Sequence, residues 1–166
     1  MVRNTAREIA IHLSYESSFT DKGVEELLDQ RLTAASFASL AEEDDLYREA
    51  PNAKQAEYIR RLVRGVWEHG AELDGYIGKY AKGWKFSRIP LVASAIMRVA
   101  MYEVMYMPDV PNAAAINEAV EIAKKYEPVE VVSFVNGILG SFVRDEFEDT
   151  PPKPEKKLAR SGQEGE

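Results

Sequence analysis

The sequence predicts an all-α protein, and two features of its 166 residues support that prediction. Apolar residues recur in one segment after another at the i, i+3, i+4 spacing of an amphipathic helix, and no segment shows the apolar–polar alternation of a half-buried strand. Proline- and glycine-bearing breaks separate these segments. With 45% apolar residues, the chain is long enough to bury one core. We therefore expect a compact bundle of about seven helices over residues 1–145.

Charge and composition exclude several functional classes. The net charge of −7 does not suit a uniformly basic nucleic-acid coat, although it is compatible with a local basic patch. The absence of cysteine excludes disulfides and thiolate chemistry. The sequence contains neither a signal-like apolar run nor 18 consecutive apolar residues. We expect a cytoplasmic protein that does not contact membranes.

The first predicted helix begins near Asn4 or Thr5 and runs to about Phe19. One stripe forms the expected core face: Ala6, Ile9, Ala10, Leu13 and Ser17. Ile11, Tyr15 and Phe19 form a second apolar line on another side of the helix. That line is either buried in the same domain, which base rates favour, or offered to a partner, and the pattern leaves both interpretations open.

Three further helices are expected before residue 82. One follows the break at residues 20–23 and ends near Leu40. An acidic connection closes with Pro51, and a long helix then starts near Ala53. Gly70 separates this helix from another that ends near Ala81.

Basic and aromatic side chains alternate around the end of that helix. The residues concerned are Lys79, Tyr80, Lys82, Trp84, Lys85, Phe86 and Arg88. Such a pattern can bind nucleic acid through phosphate contacts and base stacking. Alternatively, the rings close the end of the bundle while the lysines are solvated, and the local pattern favours this second interpretation.

The last three predicted helices contain the most apolar part of the chain. Residues 89–107 are apolar on nearly every side, which predicts a central helix. A Pro108–Pro111 turn leads to a helix that Asn112 can cap, and Pro128 begins the last helix. Gly137 and Gly140 indicate a close approach between helices, because glycine costs about 1 kcal/mol relative to alanine in a helix.

A few polar residues lie beside core-type positions in these helices. Glu103 follows apolar neighbours, and a buried carboxylate needs a hydrogen-bond or charge partner. Arg98 is five positions away on the same helix, so a donor from another segment is expected. We assign a structural role to Arg98, Glu103, Asn117, Asn136 and Gly137. Asn117, Asn136 or a capping backbone amide could be the partner of Glu103, in a buried network that fixes the register of the helices.

No grouping of residues in the sequence suits catalysis, a cofactor or a metal. The two histidines, His12 and His69, are far apart and do not form an HExxH motif. Gly-rich phosphate loops and GxSxG motifs are absent. We therefore predict a non-enzymatic protein with no cofactor. Residues 146–166 are rich in Pro, Glu and Lys, which predicts a disordered tail.

Four strings in the chain resemble the NusB family of transcription antitermination factors. They are WKFSRIPLV at 84–92, IMRVAMYE at 96–103, VPNAAAINEAVEIAK at 110–124 and FVNGIL at 134–139. The order and spacing agree over about residues 3–142, and the last two strings together are highly specific. The resemblance implies two packed helical sub-bundles and a non-enzymatic role.

The resemblance also implies partners. Family members pair with NusE, a ribosomal small-subunit protein, and the pair binds single-stranded boxA RNA in nascent ribosomal transcripts. The resulting complex, with other Nus factors and RNA polymerase, supports processive elongation.

Matching positions carry the implied RNA-binding residues: Arg3, Asn4, Arg7, Tyr80, Glu130 and Phe134. Tyr15 matches a partner-interface position, which favours the partner interpretation of the line through Ile11 and Phe19. Ala93 departs from the family pattern, since many relatives have an acidic residue there. Two alternatives stay open: a homo-oligomeric helical protein, for example a homodimer, and an RNA-positioning module like the NusB-like domain of RNA cytosine methyltransferases.

Overall fold

The computed structural model describes residues 1–147; the part of the predicted disordered tail beyond residue 147 lies outside the described residues. Eight α-helices and no strand occur in this range, which confirms the all-α prediction. The helices are α1 (Arg3–Ser17), α2 (Val24–Arg31), α3 (Ala34–Leu40), α4 (Ala53–Glu68), α5 (Gly70–Tyr80), α6 (Leu91–Tyr106), α7 (Asn112–Tyr126) and α8 (Val129–Phe147). Short 3-10 turns occupy Asp45–Tyr47 and Phe86–Arg88.

The chain separates into two compact units, one of residues 1–68 and one that begins at His69. In the first unit, α1 packs mainly against α4, and α2 packs against both. Ile9 of α1, Leu28 of α2, and Ile59 and Leu62 of α4 are fully buried. Burying each such side chain stabilises the fold by about 1.5–3 kcal/mol.

The second unit is built around α6, which packs against α5, α7 and α8. Side chains on nearly every side of α6 are buried, as expected for a helix that is apolar all round. Ile77 of α5, Ala119 of α7 and Leu139 of α8 add to this core. Within residues 1–147, no helix has both the length and the apolar character needed to cross a bilayer.

Several helix boundaries differ from the sequence-based expectation. Helix α1 starts after Val2, which provides no side-chain cap, and ends at Ser17. The single helix predicted between residues 24 and 40 is divided into α2 and α3 at Leu32. The break is stabilised by Thr33, whose hydroxyl accepts a hydrogen bond from the Ser36 N–H at 3.1 Å. A side-chain cap of this kind satisfies an otherwise unpaired donor of the first turn.

Helix α8 continues through Phe147, two residues past the predicted boundary of the tail. Phe147 is buried, and its ring packs edge-on against Phe142 with ring centroids 5.3 Å apart. Aromatic pairs prefer this geometry. The apolar contact extends the helix into a segment whose composition is otherwise typical of disorder.

The polar residues expected to form one structural network are dispersed in the fold. Glu103 is fully buried, and Arg98 Nε lies 2.6 Å from Asp74 Oδ1 of α5. Asn117 and Asn136, by contrast, are exposed, and neither side chain forms a hydrogen bond with another residue in 1–147. The expectation that these asparagines belong to a buried network is therefore wrong.

Gly137 does not mark a close approach between helices. A Cβ placed on Gly137 or Gly140 would meet no atom within 4 Å among the described residues. Gly137 is exposed on α8 next to Asn136. The structure thus gives neither glycine a packing role, although Gly137 lies in the FVNGIL string.

Candidate functional site

The start of α1 presents one accessible arginine. Arg3 is exposed, and its guanidinium lies over the ring of Tyr58 of α4, 4.4 Å from the centroid. A cation–π contact of this kind holds the guanidinium in place without neutralising its charge. Arg7 is only 4% exposed and donates from Nη1 to Asn4 Oδ1 at 3.1 Å. Of the two predicted RNA-binding arginines, the structure exposes Arg3 and buries Arg7.

The apolar line on α1 is divided between core and surface. Ile11 is buried in the core, whereas Tyr15 is 37% exposed and Phe19, just beyond the helix end, is 60% exposed. The rings of Tyr15 and Phe19 meet edge-to-face with centroids 5.0 Å apart. This pair is an accessible aromatic surface, which we call the Tyr15–Phe19 pair.

An ion pair fixes the helix end beside the Tyr15–Phe19 pair. Glu16 accepts hydrogen bonds from Arg31 Nε at 3.1 Å and from Arg31 Nη2 at 2.5 Å. The bidentate contact ties α1 to the end of α2, and such forked pairs add geometric precision to charge attraction. The aromatic pair therefore projects from a fixed helix end.

In the second unit, Tyr80 and Lys79 share one carboxylate. The Tyr80 hydroxyl donates to Glu146 Oε2 at 2.5 Å, and Lys79 Nζ donates to the same oxygen at 2.7 Å. Burial, followed by the hydrogen bond to Glu146, raises the pKa of Tyr80. The hydrogen bond to Glu146 also raises the pKa of Lys79. Tyr80 is 9% exposed, so the end of α8 holds this ring in place.

Phe134 packs against a ring from the loop between α5 and α6. The Trp84 and Phe134 centroids are 4.3 Å apart with an interplanar angle of 31°. Glu130 is exposed one turn earlier on α8, on the same face as Phe134 by helical spacing. The structure thus brings Trp84 to Phe134, a contact that the sequence did not predict.

The predicted RNA-binding residues fall into separate groups. Arg3, Asn4 and Arg7 lie on α1 of the first unit, while Tyr80, Glu130 and Phe134 lie on the second. Glu146, which binds Tyr80, is twelve residues after Phe134, or about 18 Å along α8 at 1.5 Å per residue. Within the second unit, the candidate interface is a strip along α8 rather than a pocket.

Two side chains that contact candidate residues, Tyr58 and Glu146, carried no signal in the sequence because their partners are distant along the chain. Trp84, in contrast, belongs to the basic–aromatic pattern that the sequence did show. Ala93, the departure from the family pattern, is fully buried in the first turn of α6. Among the described residues, no cluster of three His, Asp or Glu side chains could hold a metal ion.

Comparisons with known proteins identify the family to which this chain is similar. A sequence model of the NusB family matches residues 4–144. The transcription antitermination protein NusB of Acetivibrio thermocellus is 42% identical over 144 residues, which cover 87% of this chain and 90% of that protein. The corresponding protein of Symbiobacterium thermophilum is 38% identical with the same coverage. The solved structure of T. maritima NusB superposes with a TM-score of 0.71 at 29% identity, covering 87% of this chain and 92% of that one.

Proposed function

The chain belongs to the NusB family of transcription antitermination proteins, and from that premise we propose that it pairs with NusE and binds boxA RNA in nascent ribosomal transcripts. The protein is not an enzyme. Its role is to join an RNA element to a protein partner, so that a complex with other Nus factors and RNA polymerase elongates processively. The proposal concerns the identities of the RNA and of the partner.

The main support for RNA binding is the exposed guanidinium of Arg3 on the ring of Tyr58. Arginine pairs well with phosphate because its planar fork can donate two parallel hydrogen bonds. The Tyr58 ring restricts the motion of this side chain, so less conformational entropy is lost when a phosphate binds. Arg7 positions Asn4 rather than contacting phosphate itself.

The support for a protein partner is the Tyr15–Phe19 pair. Protein interfaces are enriched in aromatic side chains, and exposed rings at their centre contribute much of the binding energy. Both rings lie at the end of α1, which the Glu16–Arg31 pair holds in position. A rigid aromatic surface binds a partner at low entropic cost.

A titration tests the proposal directly. Fluorescently labelled boxA RNA is titrated with the purified protein, alone and in the presence of NusE, and a scrambled RNA of equal length is the control. We expect weak binding by the protein alone and tighter binding with NusE, for boxA only. Equal affinity with and without NusE, or no preference for boxA, would contradict the proposal.

The same aromatic pair is compatible with a second candidate, a homodimer formed through α1. Light scattering coupled to size-exclusion chromatography separates the two. A NusE-binding protein gives a mass of one chain plus one NusE when the two are mixed. A dimer mass that persists in excess NusE would favour the homo-oligomeric candidate instead.

A further inference from the structure

The loop between α5 and α6 exposes aromatic rings that the core does not need. Ala81 and Ile89 are buried at the two ends of this loop, with 6% and 4% exposure. Trp84 keeps 37% of its surface exposed and Phe86 keeps 43%. Each ring therefore keeps accessible surface at the end of α5, besides the part that packs on the protein.

A glycine turn sets the position of Trp84. Gly83 has φ of +84°, a left-handed conformation that favours glycine. Backbone hydrogen bonds from Lys82 N–H to Tyr80 O and from Trp84 N–H to Ala81 O close the turn at 2.9 and 3.3 Å. The turn places the indole against Phe134, which covers part of one indole face.

Three cations of this loop are without an ion pair among the described residues. Lys82, Lys85 and Arg88 are exposed, and none of them forms an ion pair with another residue in 1–147. Lys79, just before the loop, is instead held by Glu146. Unpaired cations beside an exposed ring match a ligand that alternates negative charge with flat aromatic groups, which is a single-stranded nucleic acid.

We propose that the Trp84 indole is a base-stacking platform for single-stranded RNA. Phe134 supports it from behind, and Lys82, Lys85 and Arg88 contact the phosphates on either side of the stacked base. The inference rests on the proposed function for its ligand class and adds a contact site to it. Because Phe134 covers one face, the platform takes a single base. Paired bases in a duplex are already stacked on their neighbours and cannot reach it.

Fluorescence of Trp84 reports on this contact. Trp67 is the only other tryptophan, so the W67F variant leaves Trp84 as the sole indole. This variant is titrated with a 12-nucleotide single-stranded RNA and with an abasic strand of the same length and charge. We expect the RNA to quench the emission and the abasic strand to leave it unchanged. Equal quenching by both strands would overturn the proposal and leave only phosphate attraction.

Affinity gives a second readout. A base stacked on an aromatic side chain accounts for about a fivefold to hundredfold change in affinity when the ring is removed. We expect W84A to lose affinity in that range, W84F to keep most of it, and W67A, which removes a more exposed tryptophan at 58%, to bind as the parent does. If a thermal melt shows that W84A does not fold, the affinity of W84F and the fluorescence titration test base stacking instead. Identical RNA affinities for W84A and W67A would contradict base stacking on Trp84.

Salt dependence tests the cations. The slope of log affinity against log salt is negative, and each lost phosphate contact makes it less steep by about 0.7 for a single strand. The K82A/K85A double variant should therefore show a slope smaller by about 1.4. Lys22→Ala is the control, because Lys22 is exposed on the first unit and already donates to Gln30. A slope that K82A/K85A leaves unchanged would contradict the phosphate contacts.

The two proposals fail in different ways. If binding depends on boxA and NusE but is indifferent to W84A, the stacking platform is wrong and the proposed function stands. If W84A weakens binding of every single-stranded RNA while NusE and boxA make no difference, the proposed function is wrong and the platform stands. An acidic peptide that quenches Trp84 as strongly as RNA would mean that the loop is a protein site.

Discussion

Glu146 holds two side chains that an RNA phosphate could use. Its Oε2 atom accepts from both the Tyr80 hydroxyl and Lys79 Nζ. A phosphate arriving at Lys79 therefore competes with a carboxylate of the protein itself. The end of α8 occupies this position on the candidate strip before any ligand binds.

We expect Glu146→Gln to tighten RNA binding about two- to fivefold, the range of a partly exposed ion pair. The amide removes the charge that holds Lys79 while it can still accept from Tyr80. Fluorescence anisotropy with boxA RNA measures the change. Glu121→Gln is the matched control, because Glu121 pairs with Lys124 on the surface of α7 at 2.8 Å and the net charge changes equally. The same gain in both variants would assign the effect to net charge alone.

Glu127 lies beside the start of α6 and is partly buried there. Pro90 precedes the helix and provides no side-chain cap. The Glu127 carboxylate interacts with the backbone of Ala93 in the first turn, which is a favourable position for a negative charge. Burial raises the pKa of Glu127, and the hydrogen bond to Ala93 opposes that shift without cancelling it.

The raised pKa predicts a pH-dependent contribution to stability. The folded protein binds the Glu127 proton more tightly than the unfolded chain, so this contribution is complete below the ordinary pKa and is lost as pH rises through the raised value. Urea unfolding between about pH 4 and 7 measures the free energy of unfolding. We expect any decline of this free energy with rising pH to be smaller for Glu127→Gln than for the parent. Glu130→Gln, on the exposed start of α8, is the charge control. A larger decline in Glu127→Gln would reverse the assigned sign.

At the scale of elements, α1 contributes one side to the core, and its end carries the proposed partner surface. We expect Tyr15→Asp to abolish binding to NusE and leave helicity unchanged, because Tyr15 is exposed while Ile9 and Ile11 retain the core contacts. Isothermal titration calorimetry and circular dichroism measure the two properties. Trp67→Asp, another exposed aromatic of the first unit, should bind NusE as the parent does. Loss of helicity in Tyr15→Asp would place the ring in the core.

The glycines of helix α8 and of the α5–α6 loop differ in backbone conformation. Gly137 is exposed in regular helix with open space around it, so we expect Gly137→Ala to raise the free energy of unfolding by about 1 kcal/mol. Gly83 has positive φ, so Gly83→Ala should lower it by about 1–2 kcal/mol. Chemical denaturation of both variants tests the contrast. A destabilised Gly137→Ala would contradict the open surroundings of this glycine.

At the scale of the whole molecule, a negative protein has to bind a polyanion. The net charge of −7 opposes long-range attraction, so binding depends on a few placed cations. Arg3 is exposed on the first unit, and Lys82, Lys85 and Arg88 are exposed on the second. From this small number we expect a modest RNA affinity for the protein alone and a large contribution from the proposed partner.

The salt dependence of RNA binding measures that number. With about three or four phosphates neutralised, log affinity should fall against log salt with a slope of roughly −2 to −3. Arg3→Ala should reduce the slope by about 0.7, whereas Arg7→Ala should leave the slope unchanged and lower thermal stability, because Arg7 is buried. A slope near −6 for the parent protein would require phosphate contacts from many more residues.

The family strings and the helical period allowed much of the molecule to be predicted. Apolar spacing located most of the helices and the central position of α6, because that spacing follows from 3.6 residues per turn and needs no knowledge of distant contacts. The same local rule misplaced Asn117 and Asn136, since a position beside the core stripe can be either buried or exposed to solvent. It also joined α2 to α3, because apolar spacing does not report the side-chain cap that Thr33 provides.

By itself, the sequence determined the all-α class, the family and the residue types available for binding. Only the tertiary structure decided which of them are accessible: Arg3 rather than Arg7, Tyr15 rather than Ile11, and Trp84 on top of Phe134. The reason is physical. Periodicity reports the side of a helix on which a residue lies, whereas exposure and pairing depend on what another segment, such as Tyr58 or Glu146, brings to that side.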